Sequence, residues 1–241
     1  MIHTLLEKFL ILNFNLQRIM LKKAFFVKPK TPALLKSYLT LDQETRQNII
    51  TKSSISVYGG IHPKNIYNFR SEFFLEHVIP QDTVIDIGCG SGVILEKCAP
   101  YVTYGYGIDW SEETISLCKK KQGHKNLEFI KADLGNFDFP AFRKKSGYTM
   151  AFFSHILEHV ENPGDLLKRV SAQKILICVP SQENWLAQLK VSLGVSPLSD
   201  PTHFKEYTRK ILALDVVNSG YTITYMGFNS EGEIVCSAKI A

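Results

Sequence analysis

The residues best suited to chemistry begin at Val84-Ile85-Asp86-Ile87-Gly88-Cys89-Gly90-Ser91-Gly92. An apolar strand carrying one acid runs into three alternating glycines at the start of a helix. Glycines let the backbone approach a ligand without a Cβ clash. One glycine suits any tight strand-to-helix turn, whereas three in alternation suit a ligand-cradling loop better. The dinucleotide fingerprint needs Gly-x-Gly-x-x-Gly, and here Val93 stands where its third glycine belongs. No lysine stands directly after the last glycine, where a phosphate-binding P-loop needs one, so that loop is excluded as well. Asp86 stands two residues before Gly88, where it disfavours a pyrophosphate and favours a cationic ligand group.

A second group lies within Phe152-Phe153-Ser154-His155-Ile156-Leu157-Glu158-His159-Val160-Glu161-Asn162-Pro163, and a third at Asp200-Pro201-Thr202-His203-Phe204-Lys205-Glu206-Tyr207-Thr208. Histidine titrates near neutrality and suits general-base work on a hydroxyl. His155, Glu158 and His159 fall three to four residues apart, so a helical turn would cluster them. His203 and Tyr207 are candidates for binding an acceptor molecule or, for His203, removing its proton. The alternative for both groups is structural: hydrogen bonds that orient a loop or tie an insert to a sheet. His and Glu also ligate metals, but no clear third ligand completes a set, so no metal is assigned.

These residues need a scaffold. From about residue 83, short apolar runs alternate with amphipathic stretches, the pattern of a parallel sheet with helices on both faces. Strands are predicted over 83–88, 104–109, 127–132, 148–154 and 174–179. Ser111 reads as a helix N-cap, with Glu112 and Glu113 in the first turn where the helix dipole favours acids. Asn162-Pro163 reads as a cap followed by a first-turn proline, and Thr208 as the cap of a helix ending before Gly220. Two last strands, 221–228 and 233–240, are joined by four residues and should form an antiparallel hairpin. Ser154 and His155 then lie at the carboxyl end of a strand near the switch point, where open sheets bind ligands.

The glycine-loop strand, Asp109-Trp110 after the second strand, Ala132-Asp133-Leu134 after the third, and Leu157-Glu158-His159 followed by Pro163 occur in this order. Together they resemble the class I S-adenosylmethionine-dependent methyltransferases over about residues 60–240. The stretch from Leu157 to Pro163 resembles that of the small-molecule group that includes ubiquinone-pathway and sugar O-methyltransferases. The resemblance implies a Rossmann-like, seven-stranded, mostly parallel sheet ending in an antiparallel hairpin. It implies S-adenosyl-L-methionine as cofactor, with Asp86, Gly88, Cys89 and Gly90 at its amino-acid end and Asp109 gripping the ribose hydroxyls. It places Trp110 against the adenine face, Asp133 and Leu134 at the adenine edge, and Ser154 beside the cofactor. Each has a structural alternative: a turn start for Asp109, a core aromatic for Trp110, a loop cap for Asp133. On the acceptor side, His155, His159 or His203 would serve as base, with Glu158 and Tyr207 contacting the acceptor. His62, Tyr67 and Arg70 resemble the leader of methyltransferases found with polysaccharide-building enzymes and add acceptor contacts. The expected reaction is O-methylation of a small molecule or glycan; a catalytically degenerate cofactor-binding relative is the alternative. The Asn/Asp-Pro-Pro-Tyr signature of many N-methyltransferases is missing, which argues against nucleic-acid bases as acceptors.

The 241 residues are 45% hydrophobic and 21% charged, which excludes wholesale disorder, collagen and coiled coil. Five cysteines without a Cys-x-x-Cys pair disfavour a zinc ribbon or disulfide framework and fit a reducing, cytoplasmic setting. The net charge of +5 resides in residues 1–30, which carry six bases against Glu7. The body is neutral, unlike a general nucleic-acid binder. Residues 1–75 are read as an N-terminal helical appendage or lid, 76–241 as the cofactor domain, and 181–207 as an acceptor-side insert. In the appendage, Leu5, Leu6, Phe9, Leu12, Leu16, Ile19 and Met20 recur mostly at helical spacing beside Lys22 and Lys23. That pattern fits a helix packed on the cofactor domain, a helix packed on a second copy of the chain, or one lying on an anionic membrane surface.

Overall fold

A computed structural model describes residues 31–45, 69–196, 198, 200 and 202–241. Residues 1–30, His62 and Tyr67 lie outside the described residues. Arg70 lies in the helix Phe69–Leu75, and its side chain is not described.

Seven strands form one sheet: β1 (Thr83–Ile87), β2 (Tyr104–Asp109), β3 (Leu127–Lys131), β4 (Met150–Ser154), β5 (Lys174–Val179), β6 (Tyr221–Phe228) and β7 (Ile234–Ile240). Their spatial order is β3-β2-β1-β4-β5-β7-β6. The first five strands pair in parallel, and β7 inserts antiparallel between β5 and β6. Strands are added in one direction from β1 to β3 and in the other from β4 onward, so the boundary between the parallel neighbours β1 and β4 is the switch point where an open sheet leaves a crevice.

Eight α-helices occur among the described residues. They are α1 (Pro32–Thr45), α2 (Phe69–Leu75), α3 (Val93–Cys98), α4 (Glu112–Lys121), α5 (Phe139–Ser146), α6 (Pro163–Val170), α7 (Trp185–Ser192) and α8 (Arg209–Asn218). Their starts follow from the caps. Ser111, Asn162 and Thr208 each accept a backbone N–H from the first turn, as their sequence positions predict. Asp138 and Asn184 do the same for α5 and α7, two helices the sequence pattern did not single out.

The core has two layers because the strands are apolar on both faces. Along β5, Ile175, Ile177 and Val179 join one cluster with Leu167 of α6 and Val216 of α8, while Leu176 and Cys178 join the other with Phe74 of α2 and Leu95 of α3. Each fully buried Leu, Ile or Phe contributes about 1.5–3 kcal/mol. Just before β4, the Thr149 N–H donates to the Thr83 carbonyl, its carbonyl accepts the Lys174 N–H, and its hydroxyl donates to Asp82, closing the bottom of the sheet.

Candidate functional site

The carboxyl ends of β1, β2 and β4 carry the first half of the site. Asp86 is 2% exposed, and its Oδ1 has no hydrogen-bond partner among the described residues. Burial, reinforced by the negative charge of Asp109, pushes its pKa up to about 7. A carboxylate buried this way is costly unless something cationic or hydrogen-bonding meets it. The loop beside it needs its glycines for different reasons. Gly88, Gly90 and Gly92 all have positive φ. A Cβ at Gly88 would lie 2.7 Å from Ile156 Cδ1, and one at Gly92 would lie 2.7 Å from the Phe129 ring. A Cβ at Gly90 would meet nothing within 4 Å. Two glycines thus serve packing, and the middle one faces open space.

That space is a cavity of about 140 Å³ lined by Asp86, Gly88, Cys89, Gly90, Ser91, Val93, Ile94 and Ser154. Asp109 fixes the loop: its Oδ2 accepts the Gly90 N–H at 3.0 Å and its Oδ1 accepts the Ser111 N–H at 3.0 Å. Each carboxylate oxygen has a second lone pair, so room for two hydroxyl donors remains. Trp110 is 77% exposed, so the core-aromatic alternative fails. Asp133 caps its own turn, accepting from the Gly135 N–H and the Asn136 amide at 2.9 Å each. Leu134 is half-buried, and its carbonyl accepts from Arg169 at 2.9 Å. The Cys89 and Cys118 thiols share a hydrogen bond and both lie near the Gly90 carbonyl. That shared proton, with burial, raises the pKa of Cys89.

The second half gathers at the ends of β4, β5 and β7. His155 follows β4 with φ 54°, a left-handed conformation unusual outside glycine. Its Nδ1 lies 3.3 Å from Glu158 Oε1 and its Nε2 lies 2.9 Å from Glu233 Oε1. Both carboxylates are buried. Glu158 sits in the 3-10 turn Leu157–His159, and its carbonyl accepts the Phe204 N–H at 2.8 Å. That bond carries residues 202–207 across the site. His159 Nδ1 lies 3.0 Å from Thr202 Oγ1, which itself donates to Asp200 Oδ1 at 2.6 Å. The Thr202 proton goes to Asp200, so Thr202 accepts from a His159 Nδ1–H, which leaves Nε2 of a neutral ring with the lone pair.

The two nearby histidines are pushed apart. Burial, then the positive charge of His203, lowers the pKa of His159. For His203, burial works downward, but its 2.9 Å bond to Glu206 and the charges of Glu206, Glu158 and Asp200 raise it on balance. Their rings meet edge-on, 4.5 Å apart. Tyr207 is fully buried, with its hydroxyl donating to Asp215 at 3.1 Å beside Lys205.

A model of the methyltransferase domain matches residues 55–225, more than half of the chain. The chain belongs to the methyltransferase domain family. It is an S-adenosylmethionine-dependent methyltransferase of Rossmann-like fold. No curated protein matches its sequence. Solved structures share the fold at low identity. Magnesium protoporphyrin IX methyltransferase from Synechocystis, with bound S-adenosylhomocysteine, is 16% identical, with a TM-score of 0.60 over 84% of this chain and 99% of that one. An S-adenosylmethionine-dependent methyltransferase from Aquifex aeolicus is 18% identical, with a TM-score of 0.56 over 74% and 94%. Another from Methanosarcina mazei is 20% identical, with a TM-score of 0.52 over 69% and 96%. The unpaired buried oxygen of Asp86 and the open face of Gly90 fit a ligand bearing an ammonium group. No helix among the described residues is long and apolar enough to cross a membrane.

Sequence reading missed Glu233, Asn229 and Cys178, which complete the surroundings of His155. It also assigned no role to Thr202, Asp200 or Glu206. A signal was present for Glu233, the acid that begins the otherwise apolar run Glu233-Ile234-Val235-Cys236.

Proposed function

We propose that this methyltransferase transfers the methyl group of S-adenosylmethionine to a hydroxyl of a small molecule or glycan, with His159 as general base. The cofactor supplies an electrophilic methyl on a sulfonium. Asp86 pairs with its ammonium, the loop around Gly90 receives its amino-acid end with Cys89 and Ser154 at the rim, and Asp109 holds the ribose. Trp110 covers the adenine face, with Asp133 and Leu134 at the adenine edge.

The observation that carries the acceptor half is the Asp200–Thr202–His159 chain. It fixes the His159 tautomer, and the lowered pKa keeps the ring neutral at pH 7, ready to accept a proton at Nε2. His203 is held toward its charged form and suits stabilising negative charge rather than removing protons. His155 faces carboxylates through both nitrogens and suits positioning. Glu158 joins the two histidine groups and borders the acceptor. Tyr207 supports the 202–207 segment from the core, and His62, Tyr67 and Arg70 remain candidates for acceptor contacts from the N-terminal side. Peripheral membrane contact through residues 1–30 and pairing of two copies belong to this reading as routes to a lipid-linked acceptor.

The test is a methyl-donor assay over quinols, sugars and lipid-linked glycans with wild type, His159→Ala and His203→Ala. The reading expects methyl on oxygen, with His159→Ala losing turnover while still binding cofactor. Methyl on nitrogen or carbon, or full turnover in His159→Ala, refutes it.

A further inference from the structure

We propose that His155, Cys178 and Glu233 bind a zinc ion, or a similar soft divalent cation, at the junction of β4, β5 and β7. The strand registers make the site. Ser154 pairs with Cys178, which pairs with Val235, so the ends of three strands meet in one row. The His155 backbone N–H donates to the Cys178 carbonyl at 2.9 Å, which holds the two residues side by side. A ligand atom from each of His155, Cys178 and Glu233 lies within 4.8 Å of the other two.

The donor set suits the metal. Zinc takes imidazole, thiolate and carboxylate at about 2.0–2.3 Å in a tetrahedron, which sets neighbouring ligand atoms about 3.3–3.8 Å apart. His155 Nε2 to Glu233 Oε1 is 2.9 Å and Cys178 Sγ to Glu233 Oε2 is 3.3 Å. The two contacts reach different oxygens of one carboxylate, so the bound geometry needs a turn of the Glu233 carboxylate as well as an outward shift of the His155 ring. The outer partners are already in place. Glu158 stands 3.3 Å from His155 Nδ1, the carboxylate–histidine arrangement that orients a ligating imidazole. The Asn229 amide donates to Glu233 Oε2 at 3.0 Å, and Asn229 Oδ1 accepts the Glu233 N–H at 2.9 Å.

The surroundings are acidic, since the His155 ring faces two buried carboxylates, Glu158 and Glu233. With the metal, thiolate and carboxylate neutralise a 2+ ion, and Glu158 keeps His203 for its own balance. Uptake releases the Cys178 thiol proton and, from a charged His155, the Nε2 proton. A water fills the fourth position. The ion would pin the β6–β7 turn to the end of β4 and hold the His155–His159 stretch in its left-handed start.

The full chain, stripped with chelator and dialysed against Zn²⁺, should retain one zinc per chain by elemental analysis and melt at higher temperature. With Co²⁺ it should show a thiolate-to-metal absorption band, which reports Cys178 without any substitution. Cys178→Ser and Glu233→Gln should lose the ion, Asn229→Ala should weaken it about tenfold, and His159→Ala should keep it. No retained zinc, bound cobalt without a thiolate band, or loss in His159→Ala but not in Glu233→Gln overturns the proposal. The last outcome would place the ion at Glu158, His159 and His203, whose ligand atoms also lie within 4.8 Å of one another. None of these readouts depends on the identity of the acceptor or of the base.

Discussion

The two halves of the crevice are built differently. The half proposed to hold the cofactor is made of short segments that follow one another: β1 and its glycines, then Asp109, then Asp133. Its decisive contacts are backbone groups held by one carboxylate, as when Asp109 ties Gly90 and Ser111. The half proposed to meet the acceptor is assembled from distant stretches, with Glu158 bonded to Phe204 and His155 against Glu233. Its contacts are side chains, many buried and titratable. Binding a constant ligand can rest on backbone geometry, whereas proton chemistry needs paired acids and bases with divergent pKa values.

Substitutions should respect that division. His159→Ala is expected to lower kcat about 10²–10⁴-fold and leave the calorimetric affinity for S-adenosylmethionine unchanged. A matching loss of cofactor affinity would merge the two halves. In wild type, kcat/KM should rise with pH through a value below the ordinary histidine pKa of about 6.5, since burial and His203 lower that of His159 against Asp200, Thr202 and Glu206.

Asp86→Asn should weaken the cofactor about 10- to 100-fold, as expected for losing one charged, buried hydrogen-bond partner. The pH dependence here has the opposite origin. Asp86 holds its proton to about pH 7 in the folded chain without cofactor, against about 4 when unfolded. Its stabilising share is complete below pH 4 and is lost as pH rises through 7. The melting-temperature gain from cofactor should therefore grow across that window in wild type, and stay flat in Asp86→Asn.

Gly90→Ala should cost about 1–2 kcal/mol of stability through its positive φ, yet reduce cofactor binding more than that figure implies. Gly88→Ala should act chiefly on the melting temperature, because Ile156 occupies the Cβ position. Equal effects of the two on calorimetric affinity would contradict the assignment of Gly90 to the ligand face. The smallest change is expected from Trp110→Ala, about threefold to tenfold in cofactor Kd, from the loss of one stacking contact.

The same division governs what the sequence makes legible. The order of strands, the caps Ser111, Asn162 and Thr208, and the glycine loop depend on neighbours within a few residues, and pattern alone reveals them. Helix α5 escaped because its apolar face is brief and its cap, Asp138, lies in a polar-aromatic run. Trp110 was ambiguous because exposure is a tertiary property. Glu233 was invisible as a partner of His155 because 78 positions separate them and only the β5–β7 register joins them. Asp133 reads as a ligand contact by motif order, yet its carboxylate is engaged in its own turn.

The insertion of β7 between β5 and β6 has a consequence for synthesis. A nascent chain that has emerged only through β6 can assemble the parallel strands, but the free edge of β5 remains a row of unpaired amides and carbonyls. Strand β6 cannot cover it, because β6 reaches the sheet only through β7. The same seven residues that close this edge, Ile234–Ile240, also follow Glu233 toward His155. The end of the crevice around His155 therefore takes shape only once β7 has joined the sheet, after the glycine loop is in place.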